Sequence, residues 1–258
     1  MSRRPGDGGQ GPAGLHVQVC ADPAEACRRA GALVADAIAA AAAAGRGAVL
    51  GLATGRTMAG VHAELVRLHR EQGLSFRGVT SFNVDEYWPL APDDPRAFRQ
   101  VMRRELFGQV DLDPSRAHVP VGTLPAERVA AACADYERAI AAAGGLDLVL
   151  LGLGSNGHLA FNEPGSPADS RTRLVTLARS TRAAAGGRIP QHAISMGLGT
   201  LLEARSVALL AFGRRKAEVV ARALCGPVTD ALPASVLQGH ADVHVLLDPE
   251  AAADLSRA

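Results

Sequence analysis

Four apolar runs constrain this chain more than any other feature: AVLGLA at 48–53, VTSFNV at 79–84, LDLVLLGLG at 146–154 and SVALLAFG at 206–213. AVLGLA is contiguous in its apolar residues rather than alternating, which is the pattern of a strand covered on both faces. Helical stretches separate the runs. DPAEACRRAGALVADAIAAAAAAG at 22–45 has an Asp N-cap, Pro in the first turn and a terminal Gly45. Further helices are predicted over 57–72, 94–109, 126–144, 197–204 and 214–226, with shorter strands at 15–20, 118–121, 172–177 and 243–248 and a closing helix after the last strand. Strands alternating with helices imply parallel pairing through right-handed crossovers. The expectation is an α/β fold: one domain with a doubly wound, mostly parallel sheet and helices on both faces.

In such sheets ligands bind beyond the carboxyl ends of the strands. Each of the four runs delivers a polar cluster at that end: ATGRT, DEYW, GSNGH and GRRK. Four clusters on one edge favour a single site.

Composition narrows what that site can bind. Hydrophobic residues make up 48% of the 258 and charged residues 21%, ample for a packed core. The net charge of +1 gives no global field to gather nucleic acid or an anionic membrane, so any anion must be held locally. No apolar run is long enough to span a bilayer. Cys20, Cys27, Cys133 and Cys225 show no metal-like spacing and no apolar leader precedes them, which predicts a reduced, cytoplasmic setting. Residues 1–14 are glycine-rich and aperiodic and read as a flexible extension ahead of a domain over 15–258.

The turn GLATGRTM opens a helix with hydroxyls on Thr54 and Thr57 flanking Gly55 and Arg56, a setting suited to an oxyanion. It is neither a Walker A motif nor a full GxGxxG fingerprint, and no nucleotide cofactor is expected from it. A tight strand-to-helix turn needing Gly55 would look the same. In FNVDEYW, Asp85 and Glu86 are consecutive on an extended segment, so only one of them faces a pocket, where it could act as a general base. The alternative is a capping or turn acid. GSNGHLAFNEP places His158, which titrates near neutrality, among glycines and five residues before Glu163: a proton shuttle, or a buried structural histidine. No metal is expected, because no second His or Cys stands at ligand spacing. Lys216 is the only lysine among the 27 Lys and Arg residues and begins a helix after a strand; Arg188 follows a glycine pair. Either could neutralise a phosphate or be solvated surface charge.

Taken together, GLATGRT, FNVDEY, the GxGxNGHxAFNEPGS pattern at 152–166, SRTR at 170–173 and GLGTLLEARSVALLAFGRRKA resemble the glucosamine-6-phosphate deaminase/isomerase family, which shares its fold with 6-phosphogluconolactonases. The resemblance runs from about Leu15 to the C-terminus. It implies ring opening and aldose–ketose isomerisation with loss of ammonia, turning glucosamine 6-phosphate into fructose 6-phosphate without a cofactor. By position Asp85 resembles the base that moves a proton from C2 to C1, His158 the ring-opening group, and Asn156 and Glu163 the partners that orient it. Thr54 to Thr57 and Lys216 resemble the phosphate site. Gly187 stands where the family has a phosphate arginine, with Arg188 one residue later. Val175 replaces the lysine of allosterically activated members, so activation of that kind is not expected. Arg56 and Met58 are bulkier than the pattern, which keeps a related substrate such as galactosamine 6-phosphate open, alongside 6-phosphogluconolactone. A sugar-phosphate sensor is the non-enzymatic alternative, but nothing before Leu15 could supply a helix-turn-helix. The implied partner is a small sugar phosphate; assembly into a homo-oligomer is left open.

Overall fold

The computed structural model describes residues 14–255; residues 1–13 of the proposed 1–14 extension, and residues 256–258, lie outside them. Strand β1 (Leu15–Val19) leads into helix α1 (Pro23–Ala43). Its start is capped from both directions: Asp22 Oδ1 accepts from Glu25 N at 2.7 Å, and Glu25 Oε2 reaches back to accept from Ala21 N, one residue before the N-cap, at 2.6 Å. Strand β2 (Val49–Leu52) is buried throughout, and α2 (Arg56–Gln72) ends on Gly73 in the left-handed region. Strands β3 (Thr80–Asn83) and β4 (Asp85–Trp88) are separated by Val84 alone. Helix α3 (Phe98–Met102) runs on into a π-helical turn, Arg103–Phe107. Then come β5 (Ala117–His118), α4 (Ala126–Ala142), β6 (Leu148–Gly152), β7 (Arg173–Thr176), α5 (Arg179–Ala184), β8 (His192–Ser195), α6 (Leu198–Leu202), β9 (Ser206–Ala211), α7 (Ala217–Cys225) and β10 (Val243–Leu247).

Seven strands form the main sheet in the order β1-β10-β9-β6-β2-β3-β5, and every pairing in it is parallel. The predicted doubly wound sheet is therefore present. The four runs singled out in the sequence become β2, β3, β6 and β9, four contiguous strands. The chain winds one way through β2, β3 and β5, and the other way through β6, β9 and β10. The crossover direction reverses between β2 and β6, where a doubly wound sheet opens its ligand crevice. Leu50, Leu52, Val149 to Leu151 and Val207 to Ala211 are buried in one continuous core.

Several expectations need correcting. Residues 85–88 are extended, as expected, but form a strand outside the main sheet, and 172–177 does not join the parallel sheet. Strands β4, β8 and β7 form a separate three-stranded antiparallel sheet, and β8 itself was not predicted. The small sheet is tied to α4 through Glu137 Oε1, which accepts from Thr172 N at 2.8 Å and from Thr200 Oγ1 at 2.7 Å. Helix α5 and the 3-10 segment Pro233–Gly239 were also unpredicted. The closing helix is replaced by turns over 249–255. Among the described residues no helix is long and apolar enough to cross a membrane.

Candidate active site

At the β2–β6 crevice the loop after β6 carries His158. Gly157 adopts φ 85°, and its carbonyl accepts from Ala234 N at 2.9 Å. A Cβ built on Gly154 would lie 2.5 Å from three atoms of the His158 ring, so the imidazole rests flat against the backbone there. Ala160 turns the chain at φ 51°, a conformation non-glycine residues seldom adopt, next to the bridge between Leu159 and Asn162. Asn162 is fully buried and holds this turn. Its Nδ2 donates to the carbonyls of Leu159 at 3.0 Å and Met196 at 2.8 Å, and its Oδ1 accepts from Arg173 Nη1 at 2.9 Å. The second arginine of SRTR thus braces the histidine loop.

The polar side chains of this loop form a directed chain. Asn156 Nδ2 donates to Glu163 Oε2 at 2.7 Å, and Asn156 Oδ1 lies 2.7 Å from His158 Nδ1. Glu163 Oε2 stands 3.4 Å from the same nitrogen. An ionised carboxylate can only accept, so it fixes the amide with NH2 toward Glu163 and the carbonyl toward the histidine. The carbonyl can also only accept, so Nδ1 carries a hydrogen, and in the neutral ring Nε2 is the nitrogen with the lone pair. Burial alone would raise the Glu163 carboxyl, but hydrogen bonds from His158, Thr181 and Asn156 outweigh it and hold the group at about 2. Its Oε1 accepts from Ala178 N at 3.1 Å.

Asp85 and Glu86 divide as the extended backbone requires. Glu86 Oε1 accepts from Tyr87 N and Phe98 N at 2.8 and 2.9 Å, and Oε2 from Arg99 N at 2.9 Å. It therefore caps the first turn of α3. Asp85 is 5% exposed, and its Oδ1 is sealed from solvent without a protein partner. Burial, reinforced by the charge of Glu86, pushes the Asp85 carboxyl well above its ordinary range.

On the β2 side, Gly55 takes φ 108° as the N-cap of α2, a conformation that favours glycine. Arg56 and Thr57, with Arg28 and Phe212, line a cavity of about 420 Å³. A larger cavity of about 530 Å³, lined by Asp93, Gln100, Arg103 and Gln109, holds none of the candidate groups. Across the switch point, Lys216 Nζ donates to the Leu153 carbonyl at 2.6 Å; burial, with a smaller contribution from the charge of Arg56, lowers its pKa. Lys216 is thus drawn to the His158 loop instead of standing free in solvent. Arg188 is exposed in the loop after α5, and its carbonyl accepts from Arg96. Among the described residues no hydrogen bond or ion pair joins its guanidinium to the other candidates.

Thr181 was missed by sequence reasoning. It is buried on α5 with Oγ1 3.4 Å from His158 Nδ1. A helix of six residues leaves too short a periodicity to be seen, and a lone threonine has no signature. Among the described residues no group of His, Cys, Asp and Glu could hold a metal ion.

The model of the glucosamine-6-phosphate isomerase/6-phosphogluconolactonase family matches residues 21–245. The chain belongs to this family. Among its members, a glucosamine-6-phosphate deaminase of Rhodopirellula baltica is 48% identical over 80% of this chain and 84% of its own length. One of Beutenbergia cavernae is 44% identical over 95% and 94%. A solved monomeric glucosamine-6-phosphate deaminase superposes with a TM-score of 0.88 at 39% identity, over 93% of this chain and 99% of that one. The 6-phosphogluconolactonase of Trypanosoma brucei, at 23% identity and a TM-score of 0.77 over 93% and 98%, shares the fold.

Proposed function

We propose that this chain is a glucosamine-6-phosphate deaminase, converting glucosamine 6-phosphate and water to fructose 6-phosphate and ammonia, and that the work divides between the two proton-transfer groups at the crevice. The observation that carries this is the Glu163–Asn156–His158 chain, because it holds the Nδ1 hydrogen of His158 and leaves Nε2 as the nitrogen available to a sugar, at the same end of the sheet as Asp85, whose Oδ1 has no partner among the described residues. His158 takes the proton of the C1 hydroxyl and returns it to the ring oxygen, opening the sugar to an aldehyde. The C2–H bond becomes acidic only then. Asp85, ionised, removes that proton while the C2 ammonium gives one of its own to O1, forming an enolamine, and Asp85 redelivers its proton at C1, leaving a protonated imine at C2. Water adds to the imine carbon, and ammonia departs as the ketone forms. Asp85 must be a carboxylate when the open-chain sugar is present, and its raised pKa makes it a stronger base once ionised.

The phosphate is assigned to Thr54, Gly55, Arg56 and Thr57 at the start of α2, with Lys216 opposite. The N–H groups of a helix start and a half-buried ammonium both favour an anion there. Arg188 reaches the phosphate in this proposal only if its loop moves. One chain supplies every group, and a cytoplasmic setting is supported by four cysteines that are all free thiols.

The test is an ammonia and ketose assay over glucosamine 6-phosphate, galactosamine 6-phosphate and 6-phosphogluconolactone, comparing the wild type with His158→Gln. Ammonia released together with fructose 6-phosphate, and largely lost in the variant, is expected. Lactone opening without ammonia would overturn the proposal.

A further inference from the structure

Buried polar atoms in native proteins are almost always paired, and those that lack a protein partner are met by ordered water. Among the described residues, five of the buried side-chain atoms without a protein partner belong to four residues close to β3 in sequence or packed on its sheet: His62 Nε2, Ser81 Oγ, Asn83 Nδ2 and Oδ1, and Asp85 Oδ1. His62, Ser81 and Asn83 are fully buried.

These residues share one layer of the fold. Phe82 packs edge-on against Tyr136 of α4, with ring centres 5.5 Å apart, so Phe82 points to the α4 face of the sheet. Side chains alternate along a strand, which turns Ser81 and Asn83 to the opposite face. The β2–β3 and β3–β5 connections run against the direction of the β5–β6 connection that contains α4. Right-handed crossovers therefore put α2 and the α3–π segment on the face where Ser81 and Asn83 point. On that face His62 of α2 meets Glu105 of the π-helical turn, Nδ1 to Oε2 at 3.1 Å, and the Glu105 side chain is 24% exposed. Asp85 follows two residues after Asn83, where β3 leaves the sheet. On β3 the side chains of Ser81 and Asn83, two residues apart, stand about 6.6 Å from each other, and Val84 bends the chain before Asp85. That spacing is too wide for a direct hydrogen bond and is spanned by one water accepting from one group and donating to the next.

We infer that this layer holds a file of bound waters leading from Asp85 Oδ1 past Asn83 and Ser81 to His62 and Glu105, and that the file exchanges the Asp85 proton with solvent while substrate closes the pocket. The inference rests on the proposed role of Asp85 in carrying a proton from C2 to C1. Asp85 that has taken the C2 proton passes it to the adjacent water and receives a hydron from the same file. One leaves and one enters, so the carboxyl stays protonated and delivers a solvent-derived hydron to C1. At the outer end His62 accepts at Nε2 and releases its Nδ1 hydrogen to Glu105, and the reverse transfer resets it. Asn83 and Ser81 are positioning residues, since they touch water and not the sugar.

The experiment is turnover of unlabelled glucosamine 6-phosphate in heavy water, reading ammonia and the deuterium at C1 of fructose 6-phosphate. The wild type is expected to place deuterium at C1. In Asn83→Leu the fraction of deuterium per ammonia released falls several-fold, and Asn83→Ser, which keeps a polar group in the layer, restores most of it. A purely structural role for Asn83 would lower the rate without moving that fraction. Ammonia release with an unchanged deuterium fraction in Asn83→Leu overturns the inference, as does a wild type that places no deuterium at C1. No ammonia from the wild type overturns the functional proposal instead. Should Asn83→Leu fail to fold, His62→Phe provides the same comparison at the other end, and an unchanged deuterium fraction there counts against the file.

Discussion

Glu163, half-buried, and Asp85, buried, are carboxyls at the same end of the sheet, and the fold treats them in opposite ways. Glu163 is surrounded by donors and held ionised at about 2, whereas Asp85 has no donor from the protein and is raised. The first is a fixed charge that orients a histidine. The second is free to change its charge. Depth of burial and the number of donors together separate an orienting acid from a reacting one here.

Removing the reacting member should have the largest effect. Asp85→Asn is expected to lower kcat for ammonia release by about 10²–10⁴-fold, the range for loss of a general base. The sign for stability is the reverse. A carboxyl raised in the folded state contributes stability that is complete below its unfolded pKa and is lost as pH rises through the folded pKa. Asp85→Asn should therefore melt higher than the wild type at neutral pH, and a variant both inactive and less stable would contradict the assignment.

Glu163→Gln breaks the other member. A side-chain amide can present either end to Asn156, so the histidine tautomer is no longer imposed, and turnover is expected to fall about a hundredfold. The lowered pKa of Glu163 contributes on the order of 3 kcal/mol, present above its unfolded pKa and lost as pH falls toward about 2. Acid titration of Tm should be shallower in the variant between those limits. A titration curve parallel to the wild type would mean that Glu163 is not held low.

The pH profile sharpens the same contrast without mutation. kcat/KM should rise with pH as Asp85 ionises, with an acid limb above the ordinary carboxylate range, while Glu163 contributes no limb near neutrality. A limb at the ordinary aspartate value would show that burial does not raise Asp85 in solution. The smallest effect is expected at Ala160→Gly. Glycine relieves the left-handed backbone, worth about 1 kcal/mol, partly offset by the added freedom of the unfolded chain. A large drop in Tm on this change would show that φ 51° is not strained.

The main sheet was legible because its strands are buried on both faces and leave contiguous apolar runs, and the four clusters at their ends fell on neighbouring strands. The small sheet was not. β7 alternates half-buried and exposed residues, and β8 is four residues long, HAIS, in a stretch where nothing marks the edges. Its antiparallel pairing depends on contacts far apart in sequence. Residue spacing alone left open which of Asp85 and Glu86 reacts and only the family resemblance pointed to Asp85, because what separates them physically is the placement of α3, whose first N–H groups claim Glu86. Arg173 stood out only through a motif, while its work, bracing Asn162, is tertiary. The unpaired atoms of Ser81 and Asn83 look like ordinary strand residues until the helices above them are in place.

Gly154 has a consequence for the energy of binding. With backbone against one face of the His158 ring and Asn156 at Nδ1, the imidazole is denied most of its rocking and its ring flip before any sugar arrives. The entropy of fixing the catalytic ring is settled during folding, so the affinity gained from the phosphate need not be spent on it. A single methyl at residue 154 would return that cost to every turnover.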